Sequence, residues 1–287
     1  MSAEPLPTLA VTGSTGQLGG RVARRLAASD VPQRLLVRDL ARVPKVDAGV
    51  PVTFAGYADR ADAVKALEGV TTLFMVSASE SADRLDQHRA FVDAAAEAGV
   101  RHIVYTSVQN AAPEATFTLA RHHYGTEEHI KASGMDWTFL RDNLYLDFLP
   151  DIVGEDGVIR GPAGEGLLAA VSRDDIAASA AEVLAKPGAH VGMTYDLTGQ
   201  EALSMSAVAE TMSSVLDRDI RYHPETLKEA YESRRRWSAP DWQYDAWVST
   251  YTAIAAGELA EVTHHVLTLT GRPPRTLAEL LLAQQNR

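Results

Sequence analysis

The run Val11-Thr12-Gly13-Ser14-Thr15-Gly16-Gln17-Leu18-Gly19-Gly20 sets glycines at 13, 16 and 19, directly after an apolar stretch and directly before residues of helical period. That order suits a phosphate-binding turn. The first glycine permits a tight turn, the second lets backbone approach a pyrophosphate, and the third packs a helix close to its strand. The free N–H groups of that helix then face the anion. Gly13, Thr15, Gly16, Gln17, Leu18 and Gly19 are therefore the candidates for holding a dinucleotide. A purely structural glycine-rich turn is the weaker reading, because the motif opens the first strand–helix–strand unit, where the binding mechanism needs it.

Nineteen residues beyond Gly19, at the end of the next apolar run, stands Arg38. A carboxylate near this place bonds the ribose 2′-hydroxyl of NAD, whereas a guanidinium suits the 2′-phosphate of NADP. Arg38 points to NADP(H); the adjacent Asp39 keeps the ribose-binding carboxylate as an alternative. Ser77, Thr106 and Ser107 close later apolar runs. At the carboxyl ends of strands they fall where ligands of open sheets bind, on the nicotinamide side, with plain strand-end capping as the competing role.

The stretch from about Leu119 to Ser133 carries Leu119, His123, Thr126 and Ile130 along one helical stripe, with Glu127 one turn after His123. Two readings stand side by side. In one, a neutral His123 donates to a substrate oxygen while Glu127 holds its tautomer. In the other, His123 is a satisfied core histidine and Glu127 part of a surface pair. The Tyr-x-x-x-Lys arrangement, in which a lysine lowers the tyrosine pKa for proton exchange with a carbonyl, is absent. None of the five lysines lies four residues after a tyrosine. The pairs His122-His123 and His264-His265 are adjacent on their helices and point about 100° apart, with no third ligand at metal spacing, so no metal is expected. Arg234-Arg235-Arg236 reads as a solvated face.

These residues need a scaffold. Short β-branched runs near Thr8–Thr12, Arg34–Val37, Pro51–Phe54, Thr71–Val76, His102–Thr106 and Trp137–Leu140 alternate with helical stretches, which predicts a doubly wound α/β fold with a parallel sheet. Leu85, His88, Phe91, Val92, Ala95 and Ala96 form one helical stripe ended by Gly99. Beyond Arg141, glycines at 154, 157, 161, 164 and 166 around Pro162 mark a loop-rich passage where the chain leaves the nucleotide-binding sheet. A helix over Asp174–Ala185, a strand within residues 190–199 and a helix capped by Ser204 or Ser206 follow. The expected division is a nucleotide-binding domain over residues 1–150, with parts of 174–200 returning to it, and a smaller α/β lobe over 151–287. Seven of the nineteen aromatic residues fall between Tyr222 and Tyr251, either as core of that lobe or as the wall of a substrate pocket.

Composition sets the limits. With 287 residues, 46% hydrophobic and 23% charged, the chain buries a full core and is not disordered. A net charge of −11 opposes nucleic acid and anionic membranes, which favours small-molecule chemistry. The absence of cysteine removes disulfides and thiolate chemistry. No apolar run approaches the roughly 18 residues of a membrane span and the start lacks a signal-peptide pattern, so a cytoplasmic protein is expected.

Taken together, VTGSTGQLGG, LLVRD, VYTS, HHYGTEEHIKASGMDWTFLRDNLYLDF and VSRDDIAASAAEVL resemble the NmrA-like, atypical branch of the short-chain dehydrogenase/reductases. Within it they are most similar to type 2 NADPH:quinone oxidoreductases and triphenylmethane reductases. The resemblance is good over residues 8–200 and thin over 220–270. It implies a Rossmann domain binding NADP(H), a C-terminal lobe, and direct hydride transfer to a planar quinone-like or dye-like acceptor resting against Tyr145 and the aromatic lobe. It also sets His123 and Glu127 in the places of the missing Tyr and Lys. The family further implies an alternative: a non-catalytic NADP(H) sensor that regulates a protein partner. Two departures stand out. Gly56 occupies a place where relatives often carry Asp near the adenine, and Asp142 replaces the Asn usual after the Leu-Arg pair.

Overall fold

A computed structural model describes residues 6–285. In chain order its elements are β1 (Leu9–Val11), α1 (Gln17–Ala28), β2 (Gln33–Val37), β3 (Gly49–Thr53), α2 (Arg60–Leu67), β4 (Thr72–Met75), α3 (Arg84–Glu97), β5 (His102–Val108), α4 (Thr118–Ala132) and β6 (Asp136–Asp142). Then come β7 (Val158–Gly161), β8 (Leu167–Leu168), α5 (Arg173–Ala185), β9 (Met193–Leu197), β10 (Leu203–Ser204), α6 (Met205–Leu216) and β11 (Arg221–Pro224). Four helices follow: α7 (Leu227–Arg234), α8 (Asp241–Ala255), α9 (His265–Thr270) and α10 (Leu277–Gln285).

Seven strands form one sheet in the order β3-β2-β1-β4-β5-β6-β9. The pairs β2–β3, β1–β2, β1–β4 and β4–β5 are parallel, as strands joined by crossover helices must be. The order reverses at β1, the switch point where open α/β sheets bind ligands. β2 and β5 are buried at every position, which explains why their sequences are apolar runs without alternation. The predicted strands and the predicted helices over α3, α4 and α5 are all present. Local caps set several boundaries. Asp59 accepts from the Asp62 N–H at the start of α2, Ser204 from Ala207 at α6, and Thr226 and Glu229 form a reciprocal capping box at α7.

The chain divides into two compact units. The first runs to Ser107 and takes in His123–Leu140 and Ile176–Tyr195; the second holds Val108–His122, Arg141–Asp175 and the chain from Asp196 onward. The first unit centres on a core that includes Leu36, Leu73, Met75, Phe91, Ile103, Tyr105, Ile130 and Phe139. The second has its own core, with Ile159, Leu168, Val208, Met212, Ile254 and Leu281 among its buried members. Two small pairings belong to this second unit, antiparallel β8–β10 and parallel β7–β11.

Candidate functional site

The glycine turn joins β1 to α1. Gly13 has φ +63°, a left-handed conformation that favours glycine, and its N-terminal neighbours form β1 in the middle of the sheet. Gly16 caps α1 with extended backbone and no side chain, and its N–H bonds the Gly13 carbonyl at 2.8 Å. A Cβ on Gly19 would stand 2.4 Å from the Gly13 oxygen and 2.7 Å from that of Thr12, so only glycine lets helix and strand close this far. The first turn of α1 carries no acidic residue to answer its N–H groups, and the buried Ser14 Oγ has no hydrogen-bond partner among the described residues. A pyrophosphate fits what is there: bare backbone, an uncapped helix end and an unanswered hydroxyl.

A hydroxyl staple braces this turn from below. Thr12 Oγ1 donates to the Phe74 carbonyl at 3.2 Å and accepts from the Val76 N–H at 2.8 Å. Tyr57 reaches the same oxygen at 2.6 Å and the Val76 carbonyl at 2.5 Å, while its ring stacks on Phe91 with centroids 4.2 Å apart. Burial pushes the Tyr57 phenol well up, so it stays a proton donor.

At the end of β2, Arg38 is exposed. The Asp39 carboxylate is taken up in accepting the Ala41 N–H at 2.9 Å, which caps a short 3-10 turn over Leu40–Arg42. Both neighbours are exposed, and Asp39 is the one whose carboxylate is engaged in a cap. Gly56 has φ +132°, and a Cβ there would make only an ordinary contact with Arg38 Cδ at 4.0 Å, so the backbone conformation and not lack of space calls for glycine.

The remaining predicted residues of the first unit fall into two sets. Thr106 Oγ1 accepts the Ser77 N–H at 2.9 Å and so fixes the loop after β4. Ser107, buried at the end of β5, donates to Glu127 Oε1 at 2.6 Å, and Glu127 is fully buried. His123 is buried too, and both its ring nitrogens have protein partners: Arg84 Nη2 at 3.0 Å on Nε2 and the Tyr105 hydroxyl at 2.9 Å on Nδ1. Because guanidinium only donates, Nε2 must accept, and the proton of the neutral ring sits on Nδ1. Arg84 is the group that orients this tautomer. The network continues: the Ala78 N–H donates to His88 Nε2 at 2.9 Å, His88 Nδ1 meets Thr126 Oγ1 at 2.9 Å, and Arg84 Nε donates to the Ala78 carbonyl at 2.9 Å. Ala78 is therefore clamped at both its N–H and its carbonyl.

Sequence reasoning did not single out Arg84, Tyr105 or Tyr57. One signal was available for the first: Arg84, His88, Phe91 and Ala95 share one face of α3, and a charge on an apolar stripe calls for a buried partner.

In the second unit, Tyr145 lies half-buried beyond the end of β6. Its hydroxyl stands 3.4 Å from Asp142 Oδ2, and the Arg173 guanidinium lies over its ring at 4.6 Å. The aromatic segment splits. Tyr222 and Tyr251 pack on the core of this unit, whereas Trp237, Tyr244 and Trp247 make edge contacts near the surface, with Arg236 over Trp237 at 3.9 Å. Among the described residues no three His, Asp or Glu side chains gather at metal-binding geometry.

Residues 6–233 match the model of the NmrA-like family. The chain belongs to that family. It is 33% identical to an NAD(P)H azoreductase of Xenophilus azovorans, with 95% of this chain and 96% of that protein covered. Among solved structures it matches the NADPH-dependent quinone oxidoreductase of Escherichia coli complexed with NADPH at 31% identity and a TM-score of 0.88, over 97% of this chain and all of the other (100%). The triphenylmethane reductase of a Citrobacter species complexed with NADP(H) matches at 29% identity and a TM-score of 0.82, over 96% and 99% of the two chains.

Proposed function

We propose that this protein is an NADPH-dependent oxidoreductase that passes hydride to a quinone-like or other planar electrophilic acceptor. The observation that carries the reading is the turn after β1, where bare glycine backbone, an uncapped helix end and the unanswered Ser14 hydroxyl meet the needs of a pyrophosphate. Relatives similar over nearly their whole length, named as an NAD(P)H azoreductase and an NADPH-dependent quinone oxidoreductase, support the reaction class. NADPH, when bound, supplies the hydride.

The chain's own residues do the rest. Gly13, Thr15, Gly16, Gln17, Leu18 and Gly19 hold the pyrophosphate, and Arg38 pairs with the 2′-phosphate while Asp39 is occupied by its cap. Ser77, fixed through its N–H by Thr106, borders the nicotinamide side. Glu127 accepts the hydrogen bond of the Ser107 hydroxyl and leaves that oxygen's lone pairs for a carboxamide donor. His123, engaged on both nitrogens, positions Tyr105 and Arg84 instead of meeting the acceptor, and Tyr145 contacts the acceptor. No helix among the described residues is long and apolar enough to cross a membrane.

The test follows dihydronicotinamide absorbance as the protein meets a panel of quinones, azo dyes and enones. Turnover with NADPH supports the reading. Tight NADPH binding with no turnover on any acceptor would overturn it in favour of a non-catalytic cofactor-binding regulator.

A further inference from the structure

Residues 76–78 follow β4 directly and lie beside the glycine turn: a Cβ on Gly13 would stand 3.2 Å from Val76 Cβ. Their three N–H groups are all taken by side chains. Val76 donates to Thr12 Oγ1 at 2.8 Å, Ser77 to Thr106 Oγ1 at 2.9 Å and Ala78 to His88 Nε2 at 2.9 Å. Two carbonyls are answered as well, that of Val76 by the Tyr57 hydroxyl and that of Ala78 by Arg84 Nε at 2.9 Å. What is left over is the Ser77 carbonyl and hydroxyl, which no group among the described residues answers. The turn after β1 offers N–H donors, which suit an anion. The segment beside it has spent its N–H groups and offers oxygens, which repel an anion and suit a neutral amide.

We infer that His88 and Arg84 are positioning residues for the nicotinamide end of the cofactor: they fix Ala78 at its N–H and its carbonyl, and so hold the Ser77 oxygens as partners for the carboxamide. The inference rests on the NADPH-binding part of the reading above, and every group it uses lies in the first unit. A backbone N–H only donates, so His88 Nε2 carries a lone pair, and the neutral ring keeps its proton on Nδ1, 2.9 Å from Thr126 Oγ1. Arg84 spans two targets at once, Nε on the Ala78 carbonyl and Nη2 on His123 Nε2, which the single ammonium of a lysine cannot match. Both side chains are buried, so the clamp is shielded from water. A segment already in its binding shape loses no affinity to ordering. One freed at Ala78 holds that shape only part of the time, and affinity falls by that fraction.

The test sets His88→Asn against His88→Gln. The asparagine amide reaches the Nδ1 place toward Thr126 but not Ala78, whereas the glutamine oxygen reaches the Nε2 place and can accept the Ala78 N–H. In the cofactor-free protein, hydrogen exchange at the Ala78 amide should quicken about tenfold or more in His88→Asn and stay near wild type in His88→Gln. NADPH affinity should fall roughly tenfold in His88→Asn and less than about threefold in His88→Gln. The fragment 2′-phospho-ADP-ribose, which lacks the nicotinamide, should bind wild type and both variants alike. Arg84→Lys should repeat the His88→Asn pattern, and it carries the test if His88→Asn fails to fold. Equal losses for NADPH and the fragment, or unchanged NADPH affinity in a variant with fast Ala78 exchange, would overturn the inference alone. Wild type that binds NADPH but reduces no acceptor would overturn the oxidoreductase reading and leave the inference standing. Wild type that binds neither NADPH nor the fragment would remove both.

Discussion

The turn after β1 and the end of β6 both lie at the carboxyl end of a strand, yet they are made of different material. The turn is backbone: glycines at 13, 16 and 19, N–H groups and a helix end, with the staple of Thr12 and Tyr57 beneath. The end of β6 is side chain: a carboxyl, a phenol and a guanidinium over the ring. A backbone site tolerates no added atom, because its spacing is set by covalent geometry. A side-chain site tolerates isosteric change and is tuned through protonation.

Substitution sharpens that contrast. The largest effect belongs to Gly19→Ala, whose new Cβ must displace the Gly13 and Thr12 carbonyls. NADPH affinity should fall more than about a hundredfold and thermal stability should fall with it, by calorimetry and titration. A variant that binds normally would show the turn to be as yielding as a side-chain site.

Next comes His123→Ala, which strips Arg84 Nη2 and the Tyr105 hydroxyl of a shared partner inside the first unit. We expect about 3 kcal/mol of lost stability in denaturant melts, as for other broken buried charged hydrogen bonds. Turnover per folded molecule should drop modestly. Inactivation at full stability would instead assign His123 to the chemistry.

Arg38→Ala comes third: NADPH affinity should weaken roughly ten- to a hundredfold and NADH affinity should hold, since one charge-assisted contact is removed. Equal affinities for both cofactors in the wild type would return the choice to Asp39.

The smallest effect is on the stability of Asp142→Asn. A folded-state pKa raised above the unfolded value means that the folded chain holds its proton longer, so wild-type stability declines as pH rises through the window above the unfolded value near 3.8. The amide removes that decline. At pH 8 the variant should be more stable by on the order of 1 kcal/mol, and near pH 3 the two should converge. Parallel curves would mean an ionised, well-solvated Asp142.

The same contrast explains what was legible in the sequence. The glycine spacing could be read because backbone needs dictate residue type locally, and the order of strands and helices followed from apolar runs and stripes. The partners of His123 could not, since Arg84 on α3 and Tyr105 on β5 meet it on α4 only through tertiary packing. Glu127 read as the group holding the His123 tautomer; in the fold its carboxylate takes the Ser107 hydroxyl and Arg84 reaches the ring. Asp142 was visible only as a departure from a family pattern. Its isolation is a property of burial, which no spacing in the chain encodes. The thirty residues holding seven aromatic rings looked like one feature and are two, a core-facing pair and a surface cluster.

The passage of the chain back and forth between its two units has a consequence during synthesis. When the first 107 residues have left the ribosome, β5 has its neighbour β4 but not β6, which begins only at Asp136. At roughly 5–20 residues per second the gap lasts on the order of a few seconds. Throughout it, a strand that ends up buried at all seven positions presents a row of open N–H and C=O groups to solvent. The edge strand beyond β6, β9, arrives later still. Nascent chains crowded on one messenger are therefore exposed to strand exchange at β5, and conditions that slow the emergence of residues 108–136 from the ribosome should lower the yield of active protein far more than a delay after Leu197 has emerged.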